Sequence, residues 1–230
     1  MAILDKEAKR IEDEKMEHML RPKLANLAKW EPKQIPLKDG RTLVVREARR
    51  DEIDLLLEVV HPLIKLDREM YDLVGVRVYG ELLSWKKYRV QDEYCLVGVI
   101  DGVLAGIVNG RQMNPKLGLS YHTFSLLRGG RVGANLFASK MEYHMDFLGH
   151  DEVLIVAESS NGFRRWMEEY GLKEKFHVAH ELGGVPTYVL DRETYTKMKP
   201  TLVLGSRPVD AALLASTQNL KKPDLSYMWE

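Results

Sequence analysis

An α/β domain is the fold this sequence predicts, and three stretches predict it. Asp101-Gly102 separates two β-rich runs, 94–100 and 103–113. That dipeptide is a strong hairpin signal, because a type I′ turn needs positive φ at both central residues. Residues 152–157 (EVLIVA) form a short, uninterrupted apolar run, as a buried central strand requires. Between them a Gly-rich turn at Arg128-Gly129-Gly130 leads from a strand into a helical pattern. At 230 residues and 45% hydrophobic composition the chain suits one domain with extensions, since domains run to ~100–200 residues.

The elements follow in order. Residues 3–30 carry apolar positions at helical spacing among many charges, which predicts one or two amphipathic helices interrupted near Pro22. Pro32 and Pro36 read as a linker, and Asp39-Gly40 as a turn. Residues 42–46 read as a strand. A helix capped by Asp51 then runs through Leu57 and Val60 and stops near Pro62. The segment 66–88 reads as helical or mixed. After the hairpin, closed by Asn114-Pro115, residues 119–127 supply another strand. A helix over 132–148 follows, with Leu136, Phe137, Met141, Met145 and Leu148 on one face and Gly149 placed to end it. Past the apolar strand, 161–170 reads as a helix ended by Gly171, and 175–181 with 185–190 as a hairpin across Gly183-Gly184. The tail from Pro200 holds one short helix around 210–214. The expected organisation is a helical arm and linker (1–38), a main domain (39–198) and a C-terminal tail (199–230).

The bulk numbers narrow the partners. Lys plus Arg and Asp plus Glu are equal at 34 each, so no general electrostatic pull draws the chain to nucleic acid or an anionic membrane. One cysteine, Cys95, allows neither an internal disulfide nor a multi-cysteine zinc site, and it reads as a small buried hydrophobe. The N-terminus is charged from its fifth residue, unlike a secretory signal, and no apolar run approaches the ~20 residues of a membrane span. A cytoplasmic protein is the expectation. The seven histidines do not space as metal ligands, so no metal is expected; the long arm suggests a homodimer contact.

The segment 127–134 (LRGGRVGA) carries the clearest chemical signal. Small residues let a backbone approach a ligand, and the first amides of a helix are unpaired, with the positive dipole end behind them. A pyrophosphate is the natural guest, although such turns are often only tight connections.

In its order of elements and in this loop, the stretch from Thr42 to Leu190 resembles the GNAT family of N-acetyltransferases. There a hairpin precedes a fourth strand that feeds a loop of pattern Arg/Gln-x-x-Gly-x-Gly/Ala at a helix N-terminus. A fifth strand, an Asn-initiated helix ending in Gly plus an apolar residue, and a closing hairpin follow. Arg128, Gly133, Asn161 and Gly171-Leu172 match those positions. Arg131 stands where the middle glycine belongs, and its side chain either turns outward, pairs with a phosphate or blocks the site. The resemblance implies a mixed, splayed sheet flanked by helices. It also implies acetyl-CoA as co-substrate, held mostly by backbone groups of Phe124, Ser125, Leu126, Arg128, Gly129, Gly130, Arg131, Val132, Gly133, Ala134 and Asn161.

The implied chemistry is attack of an amine on a thioester between two splayed strands. It needs positioning, a polarised carbonyl and removal of a proton from the amine. Glu158, just after the fifth strand, is the first candidate base; the competing reading is a solvated loop carboxylate or a cap for the next helix. His122, in the fourth strand, reaches the same cleft if its side chain faces inward. The family's tyrosine acid is missing from 163–167, and Tyr170, a turn later, is either its substitute or packing. Arg164 and Arg165 either meet coenzyme A phosphates or are solvated. The aromatic and basic segment 66–91 is where acceptor specificity is expected. Three functions remain open: an N-acyltransferase of unknown amine acceptor, an acyl-CoA-binding module without turnover, and a structural protein with this fold.

Overall fold

The computed structural model describes residues 25–156, 158–164, 168–178, 180–183 and 186–229, with 15–16 and 19–20. Most of the expected N-terminal arm therefore lies outside the described residues.

Eight strands form one open sheet: β1 (Lys33–Pro36), β2 (Thr42–Glu47), β3 (Glu93–Ile100), β4 (Val103–Asn114), β5 (Leu117–Ser125), β6 (Glu152–Val156), β7 (Lys173–Glu174) and β8 (Thr187–Asp191). Their spatial order is β1-β2-β3-β4-β5-β6-β8-β7. Every neighbouring pair is antiparallel except β5 and β6. Helices α1 (Ile53–Val60) and α2 (Tyr71–Lys86) cover one face, burying Ile53, Leu56 and Val78 with Cys95, Val97 and Val99. Helix α3 (Val132–Glu142) covers the other, where Leu136 packs with Leu43, Tyr94 and Leu96. Alternate residues of β3 thus serve opposite cores, as a strand buried on both faces requires. Gly106 lets α3 sit close, since a Cβ there would lie 2.6 Å from Leu136 Cδ1.

Asp101 and Gly102 both take positive φ (52° and 77°) at the tip of the β3–β4 hairpin, as the turn chemistry demands. Several expectations are corrected. The segment read as a linker is strand β1, paired from Lys33↔Val45 to Pro36↔Thr42. The strand is an edge, where proline withholds no needed ladder bond. Asp51 does not cap α1. A 3-10 turn (Arg50–Glu52) precedes the helix, and Glu52 accepts from the Arg49 amide at 2.9 Å. The first strand of the final hairpin is not 175–181. Strand β7 is only Lys173–Glu174, paired to Val189 and Tyr188, and the described residues 176–178 and 180–183 belong to no strand. Helix α4 (Ser160–Arg164) is followed by Tyr170 and by Gly171 at φ 60°.

Two helices follow the sheet. The sequence reading omits α5 (Arg192–Leu202), which is capped by Asp191 accepting from the Thr194 amide at 2.7 Å. Asp210 caps α6 (Ala211–Ser216). The remaining chain is laced to the sheet. Buried Arg46 donates to Glu52 (2.6 Å) and to the Thr217 carbonyl (2.6 Å), and Lys221 exchanges backbone bonds with Gly102 and Leu104. Among the described residues no helix is long and apolar enough to cross a membrane.

Candidate active site

The site starts from a defect in the sheet. Val108 pairs with Thr123 but Gly110 with Ser120, so Tyr121 and His122 together oppose Asn109. Such a bulge breaks the alternation of a strand and re-aims its side chains. Here it brings Tyr121 and His122 to one face with their rings tilted 27° apart. The bulge leaves the His122 amide without a strand partner, and Asn109 supplies one: its Oδ1 accepts that amide at 3.1 Å.

His122 is buried (3% exposed) between two carboxylates. Its Nε2 lies 3.0 Å from Glu81 Oε1, and its Nδ1 lies 2.7 Å from Glu158 Oε2. Each ring nitrogen thus has a carboxylate oxygen within hydrogen-bond reach. Asn109 Nδ2 donates to Glu81 at 2.6 Å, and Arg77 of α2 pairs with Glu158. Glu158 and His122, named separately from sequence, are therefore one constellation. Its other members, Glu81, Arg77 and Asn109, escaped the sequence reading because they are set by helix-to-strand contacts between distant segments.

Strands β5 and β6 pair only from Leu117↔Glu152 to Ser120↔Ile155. Beyond that rung β5 runs on to Ser125 while β6 stops at Val156, and the sheet opens. A cleft of about 880 Å3 enters the gap, with His122 and Glu158 in its wall. Ser125 and Gly133 flank it, and a Cβ on Gly133 would lie 3.3 Å from Ser125 Cβ.

The Gly-rich loop closes one end. Gly129, Gly130 and Arg131 all adopt left-handed backbone (φ 86°, 58° and 59°), with Arg131 as the residue before α3. The first α-helical bond is Asn135 N to Arg131 O (3.0 Å); of the amides before it, that of Val132 donates to the Gly129 carbonyl (3.4 Å), and those of Gly133 and Ala134 precede the first α-helical bond. The Arg131 side chain turns outward and forks onto Glu169, with both contacts at 2.7 Å. Arg128 lies over the ring of Tyr227, 4.6 Å from its centre.

Of the residues named from sequence, Phe124, Ser125, Arg128, Gly129, Gly130, Arg131, Val132 and Gly133 line the cleft. Leu126 does not: it is fully buried, its amide bonds Ala105 and its carbonyl accepts from Tyr227 Oη at 2.9 Å. Ala134 lies one residue past the lining. The Asn161 side chain and Arg165 fall outside the described residues, and Arg164 is exposed away from the cleft. Tyr170 is not brought to the others. Its ring packs edge-on against Phe137 at 5.3 Å in a separate core cluster, and burial pushes its hydroxyl pKa up. Cys95 is buried as expected, with its thiol pKa pushed up by burial.

The cleft also holds Lys140, which is 1% exposed. Its Nζ donates to the carbonyls of His122 (3.0 Å) and Tyr121 (3.4 Å), and burial pushes its pKa down to about 7. The signal was present in the sequence, since Lys140 falls on the apolar stripe of α3 between Phe137 and Met141. Beside the constellation Glu93 is pushed up to about 8 by burial and by Glu81 and Asp92. Among the described residues no group of three or more side chains is placed to hold a metal.

No family model and no curated protein matches the chain. Solved structures do. An uncharacterized protein from Bacillus halodurans superposes with a TM-score of 0.55 at 12% identity, over 76% of this chain and 97% of that one. A spermidine N-acetyltransferase from Vibrio cholerae, crystallised with CoA and spermine, matches at a TM-score of 0.47 and 16% identity, over 67% of this chain and 98% of that one. The PaiA N-acetyltransferase from Thermoplasma acidophilum, in complex with coenzyme A, matches at 0.48 and 14%, over 65% and 98%. The mixed open sheet flanked by helices, its parallel pair parting beyond Ser120↔Ile155, and a Gly-rich loop feeding α3 make this the GNAT-like architecture that the sequence resemblance implies.

Proposed function

We propose that the protein is a coenzyme A-dependent N-acyltransferase that moves an acetyl group onto an amine. The observation that carries this reading is the buried Glu81–His122–Glu158 array at the point where the sheet opens. A structural connection has no need of a histidine held between two carboxylates in the wall of a cleft. Networked ionisable groups in the wall of a cleft are common where protons are moved.

In this reading the loop 128–133 and the first amides of α3 hold the pyrophosphate, and the cofactor arm follows β5 into the gap. Arg131 leaves the backbone open, because its side chain is engaged by Glu169. Glu158 takes the proton from the acceptor amine, and His122 fixes its orientation and shares the charge with Glu81. Acid–base assistance of this kind is worth ~10²–10⁴ in rate. The proposed acceptor approaches from the α2 side, past Tyr71 and Val74 in the cleft wall.

Calorimetric titration with coenzyme A and acetyl-CoA tests the binding, and thiol release on an amine panel that includes spermine tests the turnover. One-site binding with release supports the enzyme. Binding without release on any amine points instead to an acyl-CoA-binding module, and no binding at millimolar ligand overturns both.

A further inference from the structure

Lys140 is a cation without a counter-charge. Among the described residues it forms no salt bridge, and its hydrogen-bond partners are two backbone carbonyls. Burying an ammonium this completely is costly unless an opposite charge is supplied. Its position is informative. The carbonyls it holds belong to Tyr121 and His122, the first residues of β5 beyond the last rung shared with β6. Helix α3 brings it from one face of the sheet, while Glu81 of α2 meets His122 from the other. The charged and titratable groups around this point are Glu81, His122, Glu158 and the Tyr121 hydroxyl. The first three are already engaged with one another, and Tyr121 donates to Glu181. The gap is thus flanked by a carboxylate array on one side and a lone ammonium on the other.

We propose that Lys140 is the proton donor to the departing sulfur, an inference that rests on the acyltransferase reading. The acceptor nitrogen bonds to the acyl carbon and the C–S bond breaks. The nitrogen's proton goes to Glu158, the Lys140 ammonium gives a proton to the thiolate, and exchange with solvent resets both groups. No further reactant is needed. The missing opposite charge is the nascent thiolate, so the cost of burying Lys140 is offset at the step that needs it. This assigns the acid to helix α3, whose Phe137 packs against the ring of Tyr170, in place of Tyr170 itself.

The test needs no knowledge of the acceptor. Coenzyme A is bound to the full chain and its thiol is titrated through the ultraviolet absorbance of the thiolate. A free thiol titrates near ~8.5, and a neighbouring cation lowers that value. In the unsubstituted protein the bound thiol is expected to ionise at least about tenfold more readily than free coenzyme A. Lys140→Met should restore the free value, and Lys140→Arg, which keeps the charge, should keep the depression. Calorimetry on the same samples separates the two readings. Failure of the unsubstituted protein to bind coenzyme A sinks the acyltransferase itself. Binding with an unperturbed thiol overturns the role of Lys140 alone. Should Lys140→Met fail to fold, an unperturbed thiol in the unsubstituted protein still overturns the proposal, and Lys140→Gln takes the place of the methionine variant in the comparison. An equal depression in folded Lys140→Met assigns the effect to another group and overturns the proposal.

Discussion

Asn109 holds His122 twice. Its Oδ1 takes the amide that the bulge sets free, and its Nδ2 binds Glu81, which holds the ring of the same histidine. One carboxamide thereby fixes both the backbone and the side chain of the residue at the centre of the constellation. Asn109→Ala leaves a buried amide and one carboxylate oxygen unpaired, which costs about 1–3 kcal/mol for each such group. Denaturant unfolding should show a loss of about 2–4 kcal/mol, larger than for surface substitutions, together with reduced turnover.

Glu158→Gln keeps the shape of the side chain and removes its ability to accept a proton. In the proposed mechanism kcat falls about 10²–10⁴-fold. The KM for acetyl-CoA changes little, because the loop 128–133 and β5 remain intact. Steady-state kinetics at saturating amine would measure the split. A large rise in KM with kcat preserved would move Glu158 from the chemistry to binding.

Arg131→Gly addresses the loop. Arg131 sits at φ 59°, a left-handed conformation costing roughly 1–2 kcal/mol for a residue with a Cβ. Its exposed pair with Glu169 returns little of that. The glycine variant should be equally or slightly more stable, by up to about 1 kcal/mol, and should bind coenzyme A within about twofold of the parent. Calorimetry and thermal unfolding would check both; a marked loss of affinity would show that Arg131 leaves Glu169 to grip a phosphate.

Lys140 should also shape the pH dependence of stability. Its pKa is pushed down to about 7 in the folded protein by burial, against about 10.4 in an unfolded chain. Between those values the unfolded state binds more protons than the folded one, so stability rises with pH through this window. Below pH 7 the cost of burying the ammonium is present in full. Comparing the parent with Lys140→Met by denaturant unfolding at pH 7 and pH 10 should show the parent gaining about 3–5 kcal/mol relative to the variant. A constant difference would mean that the buried amine keeps its ordinary affinity for protons.

Much of the architecture is legible in the chain, for identifiable reasons. The Asp101-Gly102 turn is local chemistry, and the apolar run at 152–156 admits few readings. Strand β1 is not legible, because Pro32 and Pro36 read as a linker while edge position, a tertiary fact, makes Pro36 acceptable. The face of His122 is not legible because alternation fails at a bulge, and nothing local marks where the register slips. Glu81 and Arg77 lie in the segment whose helix is least marked, and their partners are about 40 and 80 residues away. His144 and His150 are six residues apart, the wrong spacing for one helical face. They touch nonetheless, Nδ1 to Nδ1 at 3.0 Å, because Gly149 turns the chain back.

The parallel join between β5 and β6 is only four residue pairs long. On one side of it lie five strands, of which β3, β4 and β5 share the α1–α2 core, and on the other lie three, whose Val153, Ile155 and Leu190 form a cluster of their own with Phe137 and Met141 of α3. Within the sheet this makes two blocks sewn by a short seam, backed by α3, which packs on both, and open at the seam's free end. A ligand wedged into that opening touches both blocks, and so acts as a stitch that continues the seam where the peptide backbone leaves it unsewn.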